Sequence, residues 1–194
     1  MGLVEAIHPA FGTMDYSQPM VKLAFIGGSF LFFSAVFLVS DLGSKGLKRY
    51  QNLTLRNKVI WNLVIPRSMF GVFGTVVGTW AIWWDEATIH DVVNATTPTG
   101  FVAEYLYVGF AIFETLISLA NDLMARKVDI FINGHHLLAL ILNSYFIYYE
   151  CFHYFTLRAF ILEMMIPPGR LSFLLIKCEL ADSFIWKVNQ VVLI

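Results

Sequence analysis

Two adjacent histidines, His135 and His136, sit in the stretch INGHHLLALIL (132–142), which is otherwise mostly hydrocarbon. Neutral imidazole near pH 7 can accept a hydroxyl proton, and a carboxylate such as Glu114 or Glu163 could orient it, which together make a general base. The pair also reads as polar glue, hydrogen-bonded to Asn, Glu or backbone groups of neighbouring helices. As metal ligands, adjacent helical residues point about 100° apart. Neither HExxH nor another three-ligand spacing accompanies them, so no metal site is assigned. On the residues alone, catalysis and packing stay open.

A pattern runs behind His136. Asp129, His136, Asn143 and Glu150 recur every seven residues, with Asn133 on the same side. Seven helical residues turn about 700°, so these groups form one stripe, with His135 at its edge. Tyr107, Glu114, Ser118 and Asn121 make a weaker stripe on the preceding helix. Two polar stripes on adjacent helices predict a shared interior that is not lipid. Arg67, Arg158, Glu163 and Arg170 are further charges in apolar segments. A charge at the centre of a membrane helix costs about 2.5–3.5 kcal/mol, which sends such groups towards a cavity or a partner. Arg67 is followed on its face by Gly71, Gly74 and Gly78, a close-packing spacing, so pairing to a glutamate and anion binding both fit it.

The elements that position these groups are membrane helices. Hydrophobic residues make up 58% of the chain and charged residues 14%, against about 45–50% and about 25% in soluble domains. The fold class expected is all-α, a polytopic membrane bundle. A net charge of −1 with no basic stripe argues against nucleic acid as a partner. Residues 1–22 precede a first span at 23–40, read as a retained helix because no basic region leads into it. A basic loop at 41–58 and a bundle over 59–194 follow, with apolar stretches at 59–84, 105–121, 129–149 and 155–176. A sixth stretch starts near Phe184 and stops at Ile194, too short to cross, as expected of a re-entrant helix or, the favoured reading, of a fragment cut inside a span. Pro66 should bend the second helix, and Pro167-Pro168-Gly169 should break the fifth.

Lys45, Lys48, Arg49, Arg56 and Lys58 place the first loop in the cytosol by the positive-inside rule, and residues 85–104, with four acids and no Lys or Arg, in the lumen. Asn94 then lies in a usable glycosylation sequon, whereas the sequon at Asn52 is cytosolic. Cys151 and Cys178 fall on opposite sides and cannot pair.

The segments 57–83, 128–141 (VDIFINGHHLLALI), 160–167 (FILEMMIP) and 181–190 resemble the TLC-domain membrane proteins, which include the ceramide synthases. The resemblance implies a helix bundle around a lipid-accessible tunnel and residence in the endoplasmic reticulum membrane, with cycling through the ER–Golgi intermediate compartment. It also implies links to lipid homeostasis and lysosome biogenesis. In the synthases the corresponding His pair serves N-acylation by acyl-CoA. Where they carry a further His-Asp, this chain has Leu162-Glu163, so that pair is not carried over.

The leading expectation is therefore acyl transfer to a lipid-like acceptor. His135 or His136 would be the base and Glu163 or Glu114 its partner. Arg67, Asn143 and Arg170 would bind substrate, and acyl-CoA would be a co-substrate rather than a bound cofactor. The alternative is an ER-to-Golgi cargo receptor that binds lysosomal enzymes through residues 85–104. Membrane lipids are partners under both, and a homo-oligomer stays open.

Overall fold

The computed structural model describes residues 2–193. Among them, Pro19–Ser44, Leu55–Trp84, Pro98–Met124, Ile130–Tyr149 and His153–Lys177 are helices long and apolar enough to cross a membrane, termed here the first to fifth spans. No described residue lies in a strand, so the protein is an all-α multi-pass membrane bundle. The spans exceed their apolar cores because polar caps start them outside the greasy run. Thr97 Oγ1 accepts from the Gly100 amide (3.1 Å), with Pro98 as first helical residue, and Asp129 Oδ1 accepts from the Ile132 amide (3.1 Å).

The prolines act where expected, with one shift in place. Pro66 has no N–H for the Asn62 carbonyl, and the second span is interrupted at Leu63, between Leu55–Asn62 and Val64–Trp84. In the fifth span the irregularity falls before the prolines rather than on them. His153–Ala159 is α-helical, Phe160–Met165 is a 3₁₀ helix, and Ile166–Lys177 resumes as α-helix. Pro167 and Pro168 thus occupy the first turn of the new helix, where no amide donor is needed. Glu163 therefore lies in the 3₁₀ turn.

Close approach holds the bundle together, since lipid supplies no hydrophobic drive between helices. A methyl on Gly71 would meet Pro167 Cδ at 2.8 Å and the Glu163 carbonyl oxygen at 2.9 Å; on Gly78 it would meet the Ile161 nitrogen at 2.5 Å. The glycine face of the second span is thus the seat of the broken fifth span. The first and third spans meet in the same way at Gly109, which lies against the backbone of Ile26, and Ser29 donates to the Leu106 carbonyl (2.6 Å). Phe70 stacks on Phe110 (4.3 Å) and meets Phe160 edge-on (5.9 Å) at the centre. The N-terminal segment is folded on the third span: Tyr16 stacks on Phe101 (5.2 Å) and accepts from the Tyr105 hydroxyl (2.8 Å) through its carbonyl.

The fourth span is peripheral and packs chiefly on the third. Its inward face is the stripe: Asp129, Asn133, His136, Asn143 and Glu150 are half-buried, while His135 and most of the helix are exposed. Phe184–Val192 folds back on Ile166–Lys177, where Asn189 donates to the Pro168 carbonyl (2.9 Å) and to Ser172 Oγ (2.8 Å). Cys151 and Cys178 are both free thiols.

Candidate functional site

The two polar stripes meet. From one end, Asp122 Oδ2 accepts from the Asn133 side chain (2.8 Å) and the Asp129 amide (2.9 Å), and Arg56 reaches Asp122 Oδ1 at 3.4 Å. From the other, Lys22 bonds Glu150 (2.9 Å) and the Ile147 carbonyl (3.2 Å). Between these fastenings lies the chemistry. Arg67 Nε is bonded to Glu114 Oε1, and its Nη2 reaches Ser118 Oγ at 3.3 Å. The other oxygen of Glu114 faces His136 Nδ1 at 3.7 Å. That separation is long for a hydrogen bond. Glu114 therefore joins the second, third and fourth spans.

These groups line a cavity of ≈ 540 Å³ at the end of the bundle that carries the basic loops. It brings Arg67, Glu114, His135, His136, Glu163 and Arg170 together. Its size lies within the ≈ 300–1,000 Å³ of small-molecule sites. Arg170 is half-buried and makes no ion pair with a described residue. Asn143 is elsewhere. It lines a second cavity of ≈ 370 Å³, mostly apolar, between the fourth and fifth spans. Its amide nitrogen donates to the Ala139 carbonyl (2.8 Å), and its buried Oδ1 has no partner. The two cavities share Tyr107, His135 and Glu163 as lining, so a polar chamber abuts an apolar one at those side chains. Among the described residues no group of three His, Cys, Asp or Glu is placed to hold a metal ion.

The other sequence candidates are at the surface or at the far end. Asn94 is exposed in the connection after the second span, its amide nitrogen 3.3 Å from Asp91 Oδ2. Arg158 is bound structurally: it donates to the Ala81 carbonyl (2.9 Å) and Thr88 Oγ1 (3.1 Å) and covers the Tyr154 ring (3.9 Å).

One buried pair escaped the sequence reading. Glu104 and His153 are both 0% exposed, with His153 Nε2 3.5 Å from Glu104 Oε2. His153 Nδ1 accepts from the Thr97 amide (3.3 Å), which places the ring proton on Nε2, towards the glutamate. Glu104 lies among apolar residues with no repeat to flag it. Its signal is Gly100, one turn earlier, where a methyl would collide with the His153 ring.

No family model matches the chain. No solved structure matches it. Curated relatives do. The chain is 31% identical to Protein CLN8 of Mus musculus over 192 residues, 97% of this chain and 65% of the relative. It is 29% identical to Protein CLN8 of Homo sapiens over 179 residues, 91% of this chain and 63% of the relative. The chain is thus similar to CLN8, and its five apolar spans make it a multi-pass membrane protein. The likeness covers nearly the whole of this chain, His pair and both cavities included, and the chain spans just under two thirds of those relatives' length.

Proposed function

We propose that the paired cavities carry out acyl transfer from an acyl-CoA to a hydroxyl or amine of a lipid-like acceptor. The observation behind this reading is the junction: an apolar chamber for a chain and a polar chamber with imidazoles and carboxylates share Tyr107, His135 and Glu163. The polar chamber lies at the basic end, cytosolic by the positive-inside rule, where acyl-CoA is found. Arg170 is the cation available to a phosphate there, while Arg67 is engaged with Glu114.

In this reaction His136 is the base. Glu114, held by Arg67, orients the ring through Nδ1 and leaves Nε2 for the acceptor. As the acceptor oxygen or nitrogen bonds to the thioester carbon, its proton passes to Nε2. The C–S bond then breaks, and the departing thiolate takes the proton back from the imidazolium. His135 and Glu163, at the junction, face the thioester. Holding donor and acceptor together away from water supplies much of the rate.

The test is transfer of labelled palmitoyl chains from palmitoyl-CoA to microsomal lipid by the purified protein. General-base removal costs about 10²–10⁴-fold. His136→Ala should fall in that range, and His135→Ala should fall as well. Unchanged transfer in both variants refutes the assignment. ER residence, cycling through the intermediate compartment and roles in lipid homeostasis and lysosome biogenesis accompany this proposal.

A cargo-receptor reading has one feature in its favour. The connection between the second and third spans is folded: the Phe152 amide donates to the Val93 carbonyl (2.8 Å), and Glu86–His90 is helical. A shaped surface of that kind suits lumenal enzymes as partners. Loss of enzyme capture on exchanging residues 85–97, with His136→Ala silent, would favour it over catalysis.

A further inference from the structure

Acyl transfer needs more than a base. Negative charge builds on the carbonyl oxygen in the tetrahedral intermediate, and a fixed donor aimed at that oxygen is often the largest single catalytic contribution. A fatty acyl thioester has an apolar chain on one side of its carbonyl and a polar amide-bearing arm on the other. Bound with the chain in the apolar chamber and the arm in the polar one, its carbonyl lies at the boundary. Only Tyr107, His135 and Glu163 line both chambers.

Of these three, Tyr107 carries a neutral O–H, and no described residue is hydrogen-bonded to it. Its ring is fixed between Phe70 and Phe160, each 5.6 Å away between centroids. The other donors of the polar chamber are placed differently. Arg67 and Ser118 are bonded into the Glu114 pair, and Arg170 lines the polar chamber alone. A Phe at position 107 would fill the same volume, so packing alone does not call for the hydroxyl.

We propose that Tyr107 is the oxyanion donor of the acyl-transfer reaction, its phenol O–H hydrogen-bonded to the thioester carbonyl oxygen. The inference rests on the acyl-transfer reading. Tyr107 gives up no proton. Its hydrogen bond strengthens as the carbonyl oxygen becomes anionic and relaxes when the C–S bond breaks, while the acceptor's proton travels through His136. The side chain touches the reacting atoms and is catalytic in that sense.

The experiment compares the full chain with Tyr107→Phe, using palmitoyl-CoA and microsomal lipid vesicles and following both acyl transfer and free CoA thiol. Removing one oxyanion donor lowers kcat by about 10²–10³-fold. The expected result is a fall of that size with KM for palmitoyl-CoA within about twofold. Carbon-13 labelling of the thioester carbonyl gives a second signature, a stretch at lower wavenumber when bound to wild type, lost in the variant. If wild type transfers acyl chains and Tyr107→Phe matches it, the role of Tyr107 is overturned while the acyl-transfer reading stands. If wild type neither transfers nor releases CoA, both fall together.

Discussion

The sharpest test of the architecture uses the glycines, because identical substitutions should have opposite outcomes according to what lies beyond them. A methyl on Gly78 meets three backbone atoms of the fifth span: the Ile161 nitrogen at 2.5 Å, the Phe160 carbonyl carbon at 3.0 Å and Ile161 Cα at 3.1 Å. Ordinary contact starts near 3.4 Å, so Gly78→Ala must part the second and fifth spans by about 0.9 Å. Backbone cannot swing aside, and overpacking of this kind costs about 1–3 kcal/mol. Gly28 is the control. It lies within the first span with nothing inside 4 Å, and alanine there gains only intrinsic helix propensity, about 1 kcal/mol. Propensity is common to both, so the clash alone separates them. At roughly 2–4 °C per kcal/mol for a chain this long, Gly78→Ala should melt about 2–12 °C below Gly28→Ala in detergent. Gly74 adds a functional arm. Its methyl would meet Glu163 Cγ at 2.9 Å and Cβ at 3.0 Å and the Phe160 carbonyl oxygen at 3.3 Å, so Gly74→Ala should displace Glu163 together with its backbone, losing stability and slowing transfer. Equal melting of the Gly78 and Gly28 variants would refute the seating of the fifth span on this face.

Two further outcomes follow from charge. Glu114→Leu leaves Arg67 buried without its counter-ion and should destabilise by about 3–5 kcal/mol, whereas adding Arg67→Met should recover most of that loss; a double-mutant cycle of melting curves with both single variants checks it, and strictly additive losses in the double variant would show that the pair is not coupled. Asp85, just beyond the second span, is held above the ordinary carboxylate range by burial, with Thr88 and Arg158 pulling weakly the other way. Its neutral form is the one the fold favours, so its share of stability is complete below the unfolded value of 3.8 and is lost as pH rises through the raised one. Asp85→Asn should therefore gain on wild type as pH is raised from about 4 to about 7 in melting experiments, and a pH-independent difference would contradict this.

How much of this was legible in the sequence depended on periodicity. The spans were readable because charge-free runs have few alternatives, and the stripe because a seven-residue recurrence survives on a helix. The sequence around Arg67 fits both a glutamate pair and an anion site, and the structure gives the pair. What periodicity could not supply was the third dimension. Nothing in the residues joins Tyr107 to Glu163, because that meeting depends on where the 3₁₀ turn falls. The turn precedes Pro167 and Pro168 by the few residues needed to place both in a first helical turn. Glu104 and His153 were missed for the same reason. They lie in different spans, one without a repeat and the other at the very start of a helix.

The polar stripe of the fourth span divides along its length. At its ends the polar groups are fasteners, Asp129 and Asn133 to Asp122 at one, Glu150 to Lys22 at the other. In the middle they are not: His136 has one long contact to a glutamate already held by Arg67, and Asn143 keeps a buried oxygen without a donor. A helix needing polar glue alone would be fastened most firmly at its centre, where an unmet group in hydrocarbon costs most. Here, although Asn133 Oδ1 near one end also lacks a donor, His136 and Asn143 are the members of the stripe without a fastening to another span, and both border cavities. A ligand that enters between the fourth and fifth spans would meet them. That distribution agrees with the proposed acyl-transfer reading, in which the two rings have separate tasks. His136 is turned inward to Glu114, and His135, which is exposed, borders both chambers.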